Sequence, residues 1–252
     1  SEIFEKSLNL KDIRIIPLLG NIQDESFVNE IIVKYKIETI FHAAAYKHVP
    51  LVENNIVESV KNNIVGTYTL LKCATEKKVE SFTLISTDKA VNPTNIMGLT
   101  KRFAELICLA TANENVSSSI SIVRFGNVYG SSGSVIPLFS KQISKGGPIT
   151  VTHEEVARYF MTIKEASELV IQASAMEGKG NIYILEMGKQ IKILDVAKRM
   201  AQIQGFTPFI KKYNQDGDIE IIIIGLKEGE KIKEELFYSN EKQKTLHPRI
   251  IC

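Results

Sequence analysis

With 252 residues, 44% of them hydrophobic and 24% charged, the chain has enough apolar material for one large α/β domain, or for one domain with a smaller appendage. Its 31 basic and 29 acidic residues leave a net charge of +2 with the two signs interspersed, which argues against the concentrated basic face that nucleic acid needs. No apolar run has the length of a membrane span and no signal peptide is visible. Cys73, Cys108 and Cys252 lie far apart without CxxC or Cys/His zinc spacing, so no metal site is expected, and buried thiols in a reducing compartment are.

In chain order, residues 13–18 predict a strand, with a Gly20-Asn21 turn after it. Asp24 is placed to cap a helix running to about Tyr35, with Phe27, Ile31 and Ile32 on one face. Residues 39–45 read as a strand running into small residues, 56–77 as a long helix, 82–85 as a buried strand and 95–115 as a helix. A further strand at 120–123 ends at Arg124-Phe125-Gly126-Asn127. This alternation predicts βαβ units with right-handed crossovers. After Asn127 come a loop at 130–133, a short helix at 135–145, and short strands near 149–151 and 182–187. Amphipathic helices at 164–176 and 193–204 and an apolar strand at 220–224 complete the pattern. The expected fold is α/β: a doubly wound parallel sheet, Rossmann-like, with a smaller α/β lobe packed against it.

The segment richest in chemistry is Ser86-Thr87-Asp88-Lys89-Ala90, followed by Met97-Gly98-Leu99-Thr100-Lys101. It gathers a hydroxyl, a carboxylate and two amines just past the apolar run Phe82-Thr83-Leu84-Ile85, and ligands of open α/β sheets sit at the carboxyl ends of strands. Acid and base side by side there would move protons in opposite directions within one reaction. The plainer reading is a helix N-cap with two solvated lysines. A dinucleotide fold normally opens with a glycine-rich turn against the pyrophosphate, yet neither GxGxxG nor GxxGxxG occurs, and Gly20-Asn21-Ile22-Gln23-Asp24 is too polar to serve. Two readings stay open: a first βα unit missing from a chain that starts inside an apparent helix, or a protein that holds no dinucleotide.

Ordered segments carry a family likeness: Phe41 through Leu51, Asn62-Asn63 with Gly66-Thr67, Ser86 through Pro93, Met97-Gly98 with Lys101-Arg102, Arg124 through Val128, Gly130 through Phe139, and Arg158-Tyr159-Phe160-Met161-Thr162. On these the chain resembles the extended short-chain dehydrogenase/reductases that act as UDP-N-acetylglucosamine 4,6-dehydratases in capsular polysaccharide biosynthesis. The resemblance implies a tightly held NAD or NADP that takes a hydride from C4 of the sugar and returns it at C6. Lys89 would remove the C5 proton, Asp88 would protonate the departing 6-hydroxyl, and Thr87 would orient the 4-oxygen. Ala43, Ala44, Ala45, Asn62, Ser86, Phe125 and Lys101 would hold the cofactor. The UDP-sugar would meet Lys47, Asn127, Val135, Pro137, Phe139, Arg158, Lys227 and Glu230. The implied division gives residues 1–128, with 160–180 returning, to a dinucleotide-binding domain, and 129–159 with 181–252 to a substrate-binding lobe. A homo-oligomer in the cytoplasm is implied, at the inner membrane face where membrane helices precede this domain.

Three departures stand out. Most short-chain dehydrogenases carry Tyr-x-x-x-Lys, whereas Met97 here precedes Lys101, which throws deprotonation of the 4-hydroxyl onto Thr87, Asp88 or Lys89. Asn21 replaces a usual Asp, and Lys227 stands where the family usually has Arg, a point charge in place of a bidentate fork. Arg158 calls for an anion, a diphosphate or else Glu154 or Glu155; Lys47 is a better ligand candidate than His48; Glu53 reads as surface. The rival functions are an NAD-dependent sugar epimerase or reductase on the same fold, and an inactive nucleotide-sugar binding protein.

Overall fold

The computed structural model describes residues 14–114, 117–131, 133–176, 178, 180–214, 216–238 and 243–252. The apparent helix at the start of the chain lies outside them. Helix α1 (Glu25–Tyr35) begins where Asp24 accepts the Phe27 N–H at 3.0 Å and ends where Lys36 turns left-handed. Strand β1 (Thr39–His42) leads into α2 (Val49–Glu53). Helix α3 (Ile56–Val60), a π turn (Lys61–Val65) and α4 (Gly66–Glu76) then follow without a break. Next come β2 (Ser81–Thr87), a 3₁₀ turn (Asp88–Ala90), α5 (Ile96–Glu114), β3 (Ser119–Phe125) and the short β4 (Asn127–Val128). The remainder comprises α6 (Val135–Ser144), β5 (Ile149–Val151), β6 (Ala157–Arg158), β7 (Phe160–Met161) and α7 (Ile163–Ser174). After these run β8 (Asn181–Leu185), β9 (Ile191–Lys192), α8 (Ile193–Ile203), β10 (Pro208–Phe209), β11 (Ile219–Ile223) and β12 (Ile250–Ile251).

The central sheet has the order β1-β2-β3-β8-β12, parallel throughout except for the antiparallel edge strand β12. The alternation along its strands divides the core. Phe82, Leu84, Ile120 and Ile122 face α1, α4 and α5, while Val123 on the opposite face joins the α7 residues Ala166, Leu169, Val170 and Ala173. Helices thus cover both faces, as a doubly wound parallel sheet requires. Thr162 opens α7 through a capping box with Glu165. A second parallel sheet, β10-β11-β5, packs with α6 and α8 around Phe139, Ile149, Ile219 and Ile221.

Three expectations need correction. Residues 14–18 are irregular, not a strand: they find no ladder partner among the described residues, and Ile15 and Leu18 stay exposed. Strand β1 stops at His42, so Ala43 to Ala45 form a loop at its carboxyl end. The span 181–252 is not wholly the second lobe, because β8 and β12 complete the central sheet, where Tyr183, Ile184 and Leu185 are buried in its core.

Candidate active site

The carboxyl ends of β1, β2 and β3 open onto a cleft of about 330 Å³. Ala43, Ala45, Lys47 and His48 form one wall, Ser86, Thr87 and Lys89 the next, and Phe125, Gly126 and Asn127 the third, with Met97 and Lys101 reaching in from α5. The wall after β1 is pinned by Asn63 in the π turn. Its side chain bonds Tyr46 N at 2.7 Å, Tyr46 O at 3.0 Å and Thr100 Oγ1 at 3.0 Å. A π turn offsets the following helix by one residue, which turns this buried amide toward the loop.

At the end of β2 the Thr87 hydroxyl donates to Asp88 Oδ1 at 2.9 Å, and Lys89 Nζ reaches the same oxygen at 2.9 Å and Asn127 Oδ1 at 3.3 Å. Thr87 also caps the 3₁₀ turn, so the capping reading was correct as far as it went. The lysines are not solvated, however. The Lys89 side chain is only 19% exposed and Asp88 is fully buried. Asp88 Oδ2 lacks a hydrogen-bond partner among the described residues and lies where a Cβ on Gly126 would come within 3.0 Å of it. Gly98 gives α5 its close approach to this turn, since a Cβ there would run into the Lys89 carbonyl oxygen.

Lys101 is buried and donates to the Ile85 carbonyl at 2.6 Å. Burial lowers its pKa from 10.5 to about 8. The surroundings are dry enough that burial also pushes the Cys108 thiol up to about 12 and His42 down to about 3. Beneath the turn, Glu105 accepts Ser86 Oγ at 2.6 Å, Arg102 NH1 at 2.9 Å, and Arg124 Nε and NH2 at 2.7 and 2.6 Å. Both guanidinium groups lie over the Tyr238 ring, 4.8 and 5.1 Å from its centroid.

A hollow of about 220 Å³ beside the cleft gathers Asn127, Val135, Phe139, Arg158, Lys227 and Glu230, and a second, of about 610 Å³, brings Lys47 and Lys89 to Arg158 and Lys227. Arg158 pairs with neither Glu154 nor Glu155. It donates to the Ala157 and Ile232 carbonyls and pairs with Glu230 at 3.4 Å and Glu234 at 3.8 Å.

Some expected residues fall elsewhere. Asn62 gives its amide to Asn63 Oδ1 at 3.1 Å and does not line the cleft; buried Asn63 does not line it either, and holds the loop after β1 instead. Ala44 is exposed and does not line the cleft. Pro137 is exposed on α6, where Val135, Leu138 and Phe139 share the hollow's face by helical spacing. Ser86 spends its hydroxyl on Glu105. Glu53 is no idle surface group, since it accepts the Ile96 N–H at the start of α5 at 2.6 Å. His48 lines the cleft beside Lys47.

Sequence reasoning missed Glu234 and Glu105 altogether. Glu234 is buried against Lys89 and Arg158, and burial raises its pKa above the usual carboxylate value. The signal for Glu105 was available: a charge inside the apolar stripe of α5, where only a buried cation would make it tolerable.

Among known proteins, the chain is 46% identical over 237 residues to the capsular polysaccharide biosynthesis protein CapD of Staphylococcus aureus, covering 94% of this chain and 38% of CapD. The chain therefore spans well under half of that relative. The X-ray structure of Pen from Bacillus thuringiensis superposes with a TM-score of 0.85 at 34% identity, covering 99% of this chain and 75% of Pen. DesIV of Streptomyces venezuelae, a dTDP-glucose 4,6-dehydratase solved with NAD bound, shares the fold at a TM-score of 0.75 and 19% identity, over 86% of this chain and 69% of DesIV. The family described as "Polysaccharide biosynthesis protein" matches residues 2–252, and the chain belongs to it.

Proposed function

We propose that this chain carries the catalytic site of a nucleotide-sugar 4,6-dehydratase that converts UDP-N-acetylglucosamine to its 4-keto-6-deoxy derivative. The carrying observation is that Thr87 and Lys89 line the cleft wall while buried Asp88 sits directly behind them, one of its carboxylate oxygens held by both the Thr87 hydroxyl and the Lys89 amine. The residues present suit the nicotinamide–ribose half of a dinucleotide: Ala43 and Ala45 leave room, Phe125 offers an apolar face, and Lys101 spends one of its three donors on Ile85. Bound NAD or NADP would accept a hydride from the sugar and give it back.

The chain's own groups handle the protons. The proton of the sugar's 4-hydroxyl passes to Thr87 Oγ1 while Thr87 hands its own to Asp88, along the 2.9 Å hydrogen bond. Asp88 then delivers that proton to the departing 6-hydroxyl, which leaves as water. Lys89, in its neutral form, takes the C5 proton that the neighbouring ketone has acidified, and returns a proton there once C6 is reduced. One water leaves and every residue ends in its starting state. Met97, which transfers no proton, fits this route and would not fit one that needs a tyrosine. Arg158, Lys47 and Lys227 supply cations for the diphosphate.

Val135 and Phe139 supply an apolar wall. The exposed apolar residues Leu99, Phe103 and Leu106 of α5, with Ile56, Val57, Val65 and Tyr68 on the run from α3 to α4, support a homo-oligomer. No helix among the described residues is long and apolar enough to cross a membrane.

The test is incubation of the NAD-loaded enzyme with UDP-N-acetylglucosamine. The expected product is the 4-keto-6-deoxy sugar, lost in Lys89→Ala with nucleotide-sugar binding retained. Formation of the C4 epimer alone would replace this reading with the epimerase one.

A further inference from the structure

Glu234 belongs to the segment after β11, far in sequence from the Thr87-Asp88-Lys89 trio, yet it meets Lys89 in the larger hollow beside the cleft. Its Oε1 lies 3.8 Å from Lys89 Nζ and 3.8 Å from Arg158 Nε, so one oxygen faces both the amine of the cleft and a cation of the adjoining hollow. The side chain is only 4% exposed, and Oε2 has no hydrogen-bond partner among the described residues. Its backbone is anchored independently, by Gln190 Nε2 donating to the Glu234 carbonyl at 2.6 Å. The charged groups facing it are Lys89 and Asp88 from the turn after β2, Arg158 from β6, and Lys231 on its own segment.

A buried carboxylate held this way is costly unless its charge is used. Lys89 Nζ already has Asp88 on one side and Asn127 on another. Glu234 closes the cage. We propose that Glu234 is a positioning residue for Lys89: it fixes the amine between β2 and the C-terminal segment and sets the pH at which that amine gives up its proton. The proposal deepens the dehydratase reading and rests on it for its catalytic meaning, while its physical content concerns Lys89 alone. Burial raises the proton affinity of Glu234, which makes its charge depend on the cations beside it.

The experiment reads Lys89 directly. The protein is labelled with acetic anhydride across a pH series, and the reactivity of Lys89 is followed by peptide mass spectrometry in the parent, Glu234→Gln and Glu234→Asp. Removing the carboxylate charge is expected to move the Lys89 reactivity curve to lower pH by about one unit or more in Glu234→Gln, with a smaller move in the same direction in Glu234→Asp. In turnover assays the acidic limb of the kcat profile should move with it, and the plateau should fall at least about fivefold. A purely structural role would lower thermal stability and leave the Lys89 curve where it is. An unmoved curve in Glu234→Gln, or equal moves in both variants, overturns the proposal. Should Glu234→Gln fail to fold, Glu234→Asp decides alone, and an unmoved curve there overturns it. Labelling needs no turnover: a curve moved by Glu234→Gln, with a parent that dehydrates no sugar, would refute the dehydratase reading and leave the cage intact, whereas a curve unmoved by Glu234→Gln, with an active parent, would do the reverse.

Discussion

Arg124 on β3 and Glu105 on α5 form a forked, fully buried ion pair, with contacts of 2.7 and 2.6 Å, directly beneath the turn that carries Asp88 and Lys89. Removing Arg124 leaves the buried Glu105 carboxylate with Arg102 and the Ser86 hydroxyl alone, without its two shortest charged contacts. Arg124→Met is expected to lower stability by about 3–5 kcal/mol. The double variant Arg124→Met/Glu105→Leu should recover part of that loss, because an apolar pair of similar volume carries no desolvation penalty while Ser86 and Arg102 lose their carboxylate partner. Urea unfolding of the three proteins checks both statements.

Lys101 makes the opposite contribution. Its native pKa, lowered to about 8 by burial, lies below the unfolded value of 10.5. Between those values the unfolded chain binds more protons than the native one, so stability rises with pH across that window, and the penalty is fully felt below it. Lys101→Met is therefore expected to be more stable than the parent at pH 7 by about 2 kcal/mol, after allowing for the lost bond to Ile85. The gap should close as pH rises toward 10.5. Denaturant melts at several pH values test this; a variant less stable than the parent at pH 7 would contradict it. Loss of cofactor binding is the expected functional cost.

Gly98→Ala separates packing from helix propensity. Alanine is the better helix former by about 0.8–1 kcal/mol, so propensity alone would stabilise α5. The added Cβ would meet the Lys89 carbonyl, which forces the helix and the 3₁₀ turn apart. The expected result is a net destabilisation of about 1–3 kcal/mol together with reduced turnover. Thermal melts and product assays on the one variant read both.

Thr87 and Asp88 should differ in degree. Asp88→Asn removes the group that carries the proton to the 6-hydroxyl, and kcat is expected to fall by about 10²–10⁴. Thr87→Val removes only the relay and should cost less. In both, KM for the UDP-sugar should change little, since the cations that meet the diphosphate are elsewhere. Steady-state kinetics with each variant is the check, and near-parent turnover in Asp88→Asn would exclude the assigned role.

Much of the fold was legible because its strands are buried on both faces and its helices are amphipathic. The patterns at 82–85, 120–123 and 95–115 sit within one or two residues of β2, β3 and α5 at both ends. Residues 13–18 misled because an apolar run names a strand without naming its partner. The trio at Thr87 was visible as local sequence, and the ligands expected on α6 divided by helical spacing, which separates Pro137 from Val135 and Phe139. Glu234 was not visible. It reaches Lys89 across 145 positions of chain, and only the closure of the lobe against the central sheet brings the two within 3.8 Å. The hold of Asn63 on the loop after β1 was not visible, because no periodicity distinguishes adjacent asparagines before a π turn is known.

The most direct test of the dehydratase reading is the reaction of the NAD-loaded enzyme with UDP-N-acetylglucosamine in deuterated water, followed by NMR. The expected outcome is a 4-keto-6-deoxy product carrying solvent deuterium at C5, formed by the parent and absent with Lys89→Ala. A C4-epimerised product, or the dehydrated product at the parent's rate from Lys89→Ala, would contradict it.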